Sequence, residues 1–307
     1  MTMLRRSKKL PLIAVLTVAT IACWQQLSAM DPVPMEIEKQ AQPALATALD
    51  IYMFLQQTGL LPQELVNIIA GNAHEIAASI RELEASKSSD ELYDGLVRLL
   101  LKYDSSVLVL LLKDCFAHNP VLVWMKNKYG YTALHYAASR SNYEVVTLLL
   151  ETAGNRAQEL VGMKNSFGST ALHWAADKNN YEVVKLLLRV AGDRAQKLIC
   201  MQDEGGITAL HWAAFKNNCE VARLLFEVAG DQAQTLVCMK NECGKTALHW
   251  ATYHNNCEIA KLLLETAGDQ AQELVCMQDG SGYTALHLAR RENNQDIIQL
   301  LEAPLQK

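Results

Sequence analysis

The sequence predicts an all-α fold, a solenoid of stacked helix-turn-helix units joined by finger-like turns. Three observations carry this. The heptapeptide TALHWAA stands at residues 170–176 and again at 208–214, with near-copies TALHYAA from 132, TALHWAT from 246 and TALHLAR from 284. Thr132, Thr170, Thr208, Thr246 and Thr284 are each 38 residues apart, and self-similarity at such a period marks a repeat array. Each period also holds two helical signals separated by turn chemistry, which is the minimum content of a stacking unit.

The first helix starts at the motif. Its threonine is suited to accept a hydrogen bond from a free backbone amide at the helix start, and the histidine three positions on can reach back toward the cap. The connectors SRSN, DKNN, FKNN, YHNN and RENN follow. Their asparagines tolerate the left-handed conformation that a helix exit requires, so a tight turn belongs there. The second helix is read from runs such as YEVVKLLLRVA (181–191), whose apolar positions Val183, Val184, Leu186, Leu187 and Leu188 define a buried side. After it come RAQELV, RAQKLI, QAQTLV and QAQELV, where a recurring Leu followed by Val or Ile predicts an added helical turn on the stack. The period closes with MQDEGG (201–206) or MKNECG (239–244), Asn or Asp combined with Gly, the chemistry of a tight finger-like turn.

These motifs resemble the ankyrin repeat family, whose T-P-L-H-x-A signature is met in all five copies except that Ala133, Ala171, Ala209, Ala247 and Ala285 replace its proline. The family unit is about 33 residues, and this one is longer, the excess lying after the second helix. Intact repeats are assigned to 132–169, 170–207, 208–245 and 246–283, and 284–307 is a C-terminal cap that stops after its second helix at Pro304. Aligning residues 109–130 under 147–168 matches a Leu triplet, a Leu-Val pair and the MKN turn, so 94–131 reads as a degenerate first repeat. Its TALH start is replaced by Asp94, Gly95, Leu96 and Val97, and atypical ends are expected where a unit faces water.

Two readings of His135, His173, His211, His249 and His287 are open, capping and metal binding. Equivalent residues of stacked helices lie roughly 10 Å apart, beyond the reach of one ion with bonds of about 2 Å, which favours the structural role. Recurrence at the repeat period likewise favours inter-repeat packing for Trp174, Trp212 and Trp250. No Gly-rich phosphate loop, H-E-x-x-H or G-x-S-x-G is present, so no enzyme and no cofactor is expected. The formal net charge is −5, and it would be −9 without residues 1–29, which hold Arg5, Arg6, Lys8 and Lys9 and no acid. That balance argues against nucleic-acid binding, which needs a basic face.

Residues 1–29 have a basic start, an apolar run from Pro11 to Cys23 and small residues at Ser28 and Ala29, the layout of a secretory signal peptide, with an uncleaved N-terminal anchor as the alternative. TIAC at 20–23 is similar to a bacterial lipoprotein signal that would be lipidated at Cys23, although Thr20 stands where Leu is usual. Residues 30–43 read as a polar, proline-containing linker and 44–93 as helical material. Within the latter, Leu61, Pro62, Glu64, Leu65 and Ile69 resemble the opening of an F-box, which docks onto the adaptor of a ubiquitin ligase. The plainer reading is a helix whose face of Leu65, Ile68 and Ile69 covers the end of the solenoid. Cys200, Cys238 and Cys276 form one set with the repeat spacing and Cys219 and Cys257 another, so members of a set stand too far apart for disulfides, and pairing of Cys243 with a neighbour is left open. Free thiols in an exported protein point to a reducing destination such as the cytosol of a host cell.

The family resemblance implies recognition of a partner protein by turn tips and by the concave side of the first helices. Positions that differ between copies are those the stack does not dictate. They are Lys128, Tyr129, Tyr131, Ser139 and Arg140 in the first intact unit, with its preceding turn, and Ser166, Phe167, Ser169, Asp177 and Lys178 in the second. In the third they are Glu204, Ile207, Phe215 and Lys216, in the fourth Glu242, Lys245, Tyr253 and His254, and in the last Tyr283, Arg291 and Glu292. Aromatic and Arg residues are frequent among them, as binding hot spots require. The expected function is a non-enzymatic protein-binding scaffold, exported and in one version delivered to a host. The alternatives are an F-box-like substrate receptor for a ubiquitin ligase and a structural periplasmic or surface protein.

Overall fold

A computed structural model describes residues 112, 113, 116 and 120–306. The chain divides into two units, 1–119 and 120–307, and the second holds nearly all the described residues. The leader, the linker, residues 44–93 with the F-box-like segment, and most of the degenerate repeat lie outside the described residues.

The second unit opens with a 3-10 turn at Pro120–Val123, which occupies the place of the added helical turn in the degenerate repeat. Four repeats of three helices follow. They are α1 (Ala133–Ser139), α2 (Tyr143–Ala153) and α3 (Ala157–Val161), then α4 (Ala171–Asp177), α5 (Tyr181–Ala191) and α6 (Ala195–Ile199). After them come α7 (Ala209–Phe215), α8 (Cys219–Ala229) and α9 (Ala233–Cys238), then α10 (Ala247–Tyr253), α11 (Cys257–Ala267) and α12 (Ala271–Cys276). The last unit keeps α13 (Ala285–Arg291) and α14 (Gln295–Glu302) and ends in a 3-10 turn at Ala303–Gln306. The expected added turn is thus a short third helix in each complete repeat. Leu160 with Val161, Leu198 with Ile199, Leu236 with Val237 and Leu274 with Val275 are buried there, which explains the Leu-Val recurrence.

First helices stack on first helices and second on second. Alanines at the start of each first helix, Ala133, Ala171, Ala209, Ala247 and Ala285, are fully buried, and their small side chains permit the close approach that larger ones would prevent. The second helices bury the Val and Leu stripe, including Val183, Val184, Leu187 and their counterparts, against their neighbours. Among the described residues the only extended pairing is an isolated bridge between Gln278 and Thr284. No helix among them is long and apolar enough to cross a membrane.

The two asparagines of the inner turn divide the work. Asn179, Asn217, Asn255 and Asn293, with Ser141 in the first unit, adopt the left-handed conformation, with φ between 55° and 59°. The next asparagine caps the second helix, and here the units differ. Asn142 and Asn180 accept hydrogen bonds from the backbone N–H of Val145 and Val183 at 3.1 Å. Asn218 and Asn256 instead donate from Nδ2 to the carbonyls of Ala176 and Ala214 in the preceding repeat, at 2.9 and 2.8 Å. The same residue type is thus a local cap at Asn180 and an inter-repeat tie at Asn218 and Asn256.

The fingers form a ladder of their own. The backbone N–H of Ser166 donates to the carbonyl of Tyr129, that of Glu204 to Phe167 and that of Glu242 to Gly205, each at 2.9 Å, and that of Gly280 to Cys243 at 2.7 Å. Side chains reinforce it, Lys126 Nζ reaching Lys164 O and Lys164 Nζ reaching Gln202 O at 2.8 Å, and Lys240 Nζ reaching Gln278 O at 3.0 Å. Gly206 shows why glycine closes the finger. Its φ is +72°, and a Cβ there would stand 2.7 Å from the backbone nitrogen of Glu242 in the next finger.

Candidate partner-binding face

The frame of the site is the Thr-His pair. At each first-helix start the backbone N–H of the threonine donates to Nδ1 of the histidine, at 3.1 Å for Thr132 and His135 and 3.2 Å for Thr208 and His211. An N–H can only donate, so Nδ1 is the acceptor and the proton resides on Nε2. Nε2–H then donates into the next repeat, from His135 to Ser169 O, His173 to Ile207 O, His211 to Lys245 O and His249 to Tyr283 O, at 3.0 to 3.2 Å. Both ring nitrogens of these four histidines are therefore engaged in hydrogen bonds. Burial lowers the imidazole pKa of all four, to about 4 for His135 and His211. His287 makes the same bond to Thr284 N at 3.1 Å but is exposed, with no following repeat among the described residues.

The variable positions fall around this frame in three groups. Lys128, Tyr129, Ser166, Phe167, Glu204 and Glu242 are exposed at the finger tips. Tyr131, Ser169, Ile207, Lys245 and Tyr283 close each finger, and the carbonyls of the last four are those the histidines hold. Their side chains differ in exposure, Tyr283 being open, Tyr131, Ile207 and Lys245 half-buried and Ser169 buried. Ser169 therefore belongs to the interior and not to the face, because its short side chain is covered where longer ones emerge. The third group ends the first helices. Arg140, Lys178, Lys216, Tyr253, His254, Arg291 and Glu292 are exposed there, while Ser139 and Asp177 are half-buried. The Ser139 hydroxyl donates to Tyr136 O at 2.8 Å, and Asp177 is shared by Lys178 at 2.9 Å and Lys216 at 3.4 Å.

Phe215 does not stand free as an anchor. It is half-buried, 5.9 Å from the Trp212 ring, 5.6 Å from Trp250 and 4.3 Å from His254 between centroids. The ring exposed at the corresponding place one repeat later is Tyr253, at 51 %. With Tyr129, Phe167 and Tyr283, at 49, 50 and 46 %, it supplies the open aromatic surface.

The tryptophans pack between repeats, Trp212 against Trp250 at 5.7 Å and Trp174 against Tyr131 at 5.8 Å. They are only half-buried, so they also contribute to the floor of the face, a role that their recurrence in the sequence concealed. Fingers and first helices meet in a groove of about 250 Å³ lined by Phe215, Asn241, Cys243, Lys245, His249, Trp250, Tyr253 and His254. Asn241 and Cys243 are not among the variable positions that the sequence offers for binding, since one reads as turn chemistry and the other as a thiol. All six described cysteines, Cys200, Cys219, Cys238, Cys243, Cys257 and Cys276, are unpaired.

The family model described as Ankyrin repeats (3 copies) matches the chain over residues 85–193, 153–235 and 229–304. A comparison with curated proteins finds no match.

Proposed function

Because the chain belongs to the ankyrin repeat family, whose repeats form protein-protein interaction domains, we propose that it is a non-catalytic scaffold holding a partner protein against its finger tips and first helices. The observation that carries this reading is the separation of constant from variable positions. Thr, Leu and His of the motif are spent on caps and core, whereas the residues that change from repeat to repeat are mostly the exposed ones. Large aromatic and basic side chains, the types that dominate binding energy, recur among them.

The test uses the full chain as bait and a variant in which Tyr129, Phe167 and Tyr253 are replaced together by alanine. Helix content by circular dichroism should be unchanged, because none of the three belongs to the buried frame. Affinity for a captured and identified partner should fall at least tenfold. Binding within twofold of the parent would place the partner elsewhere on the chain.

The destination is part of the proposal. The leader-like N-terminus supports export, and the six unpaired thiols support a reducing final compartment such as a host cytosol. Alkylation of the unfolded protein without prior reduction should label these cysteines. Finding most of them already oxidised in protein recovered from its site of action would contradict the reducing destination.

A further inference from the structure

We propose that the groove between the 241–245 finger and α10 receives an extended acidic segment of the partner protein, with one large apolar side chain seated against Phe215, Trp250 and Tyr253. This rests on the reading that the finger and first-helix face is where a partner binds.

Size argues for a side chain. At about 250 Å³ the groove is smaller than the roughly 300–1,000 Å³ of sites that enclose small ligands, and it is open along the face. Its floor is aromatic, which favours a ring or a branched aliphatic group. Charge argues for the flanks. Lys245 is the one charged side chain in the lining, and its nearby acid, the buried Asp279, feels its charge but accepts from the backbone N–H of Ser281 and Tyr283 without forming an ion pair with it. On one side the Lys216 ammonium sits 4.8 Å over the Phe215 ring, and on the other the Arg291 guanidinium sits 6.0 Å over Tyr253. Asp177 is divided between two lysines, and Glu292 holds Arg291 at 3.0 Å, so local acids only partly offset these cations. Glu242 at the finger tip lies outside the lining.

Spacing argues for an extended chain. Arg140, Lys178 and Lys216 occupy the same C-terminal position of three successive first helices. Stacked helices are roughly 10 Å apart and an extended chain rises about 3.3 Å per residue, so a carboxylate at every third residue would meet one cation per repeat. The occupant is then a segment with one apolar anchor at the groove and acids spaced by three toward the N-terminal repeats.

The experiment titrates the full chain into a fluorescent dodecapeptide with a central phenylalanine and glutamates at three-residue intervals, read by anisotropy. Saturable binding that weakens with added salt is expected. It should weaken about tenfold or more with glycine in place of the phenylalanine, with Lys245→Glu, and with Tyr253→Ala. Lys261→Glu on α11, away from the groove, should stay within twofold of the parent. Equal binding of a lysine version of the peptide, or tighter binding of a single-stranded oligothymidylate of similar length, would overturn the proposal. So would binding that appears only after Glu36→Lys and Glu38→Lys, because the chain's own 31–43 segment would then be the occupant. Binding that appears only on dissociation of a dimer would likewise make a second copy the occupant. Suppose the captured partner is lost by the Tyr129, Phe167 and Tyr253 variant, yet ignores Lys245→Glu and is not displaced by the acidic peptide. The face is then a binding site, and only its acidic specificity is refuted.

Discussion

As solution pH falls below 6.5, the ordinary imidazole value, the buried histidines work against the fold. In the unfolded chain each takes a proton near that value. In the folded chain burial holds His135 and His211 down to about 4, against the smaller upward pull of the Ser169 and Lys245 carbonyls that accept from Nε2. Asp203 pulls His211 upward as well, while the other stacked histidines, and Lys126 for His135, push downward. A proton on Nδ1 would also face the N–H of the capping threonine, donor against donor. The unfolded state therefore binds more protons between these limits, and the stability present above pH 6.5 is lost toward pH 4, at about 1.4 kcal/mol per pH unit for each such histidine. His211→Leu should cost about 2–3 kcal/mol at neutral pH and lower the pH slope of stability by about one proton. Urea midpoints at neutral and mildly acid pH measure both, and an unchanged slope would remove His211 from the account. Thr252 is a smaller case with the opposite sign. It is fully buried where the three preceding repeats have Ala138, Ala176 and Ala214, and its Oγ1 has no hydrogen-bond partner. Thr252→Ala relieves an unsatisfied hydroxyl and loses a methyl, so the net change should be stabilising and no more than about 1 kcal/mol. A loss larger than that in thermal unfolding would mean the hydroxyl is bonded.

At the scale of the element, the fingers are set by what comes after them. Gly206 and Gly282 have the same left-handed backbone, φ +72° and +81°, but a Cβ at Gly206 meets the next finger at 2.7 Å while one at Gly282 meets nothing within 4 Å. Alanine should cost roughly 1–2 kcal/mol at either position for the conformation, and more at Gly206, where the Glu242 backbone must move. Equal losses in chemical denaturation would mean that the finger ladder contributes nothing. The same distinction explains what was legible in the sequence. Caps, the left-handed Asn, the Leu stripe and the short third helix depend on a few neighbouring residues and recur, so they could be read from spacing. The exchange of roles between Asn180 and Asn218 could not be, because it depends on a carbonyl of the preceding repeat, Ala176 O, that lies about a full period away in sequence. Nor could the burial of Ser169 or the covering of Phe215 by Trp250, since both are fixed by side chains a full repeat away. Variation between copies marks where the stack is permissive, and permissive positions include some that a neighbour later covers.

Across the whole array, each repeat touches only its neighbours, so stability is a sum of unit terms and nearest-neighbour interfaces. The described helices follow this pattern, α5 packing against α2 and α8. Leu187 is fully buried on α5 at that junction. Leu187→Ala removes about 2–5 kcal/mol, through lost transfer energy and the cavity left behind. In a globular core of short-range and long-range contacts that loss would be felt by all the most protected amides, because those exchange through one global opening. Here it should spread from the damaged unit outward and fade, since α13 and α14 are reached only through two further interfaces. Native-state amide exchange is the direct measurement. Protection should fall most in residues 171–199, clearly in the flanking α2 and α8, and least in residues 285–302, which keep their own contacts with α10 and α11. A uniform fall from end to end would show that the array opens as one cooperative body. The interface terms would then have to outweigh the stability of any single repeat, and the proposed face would be rigid over its full length.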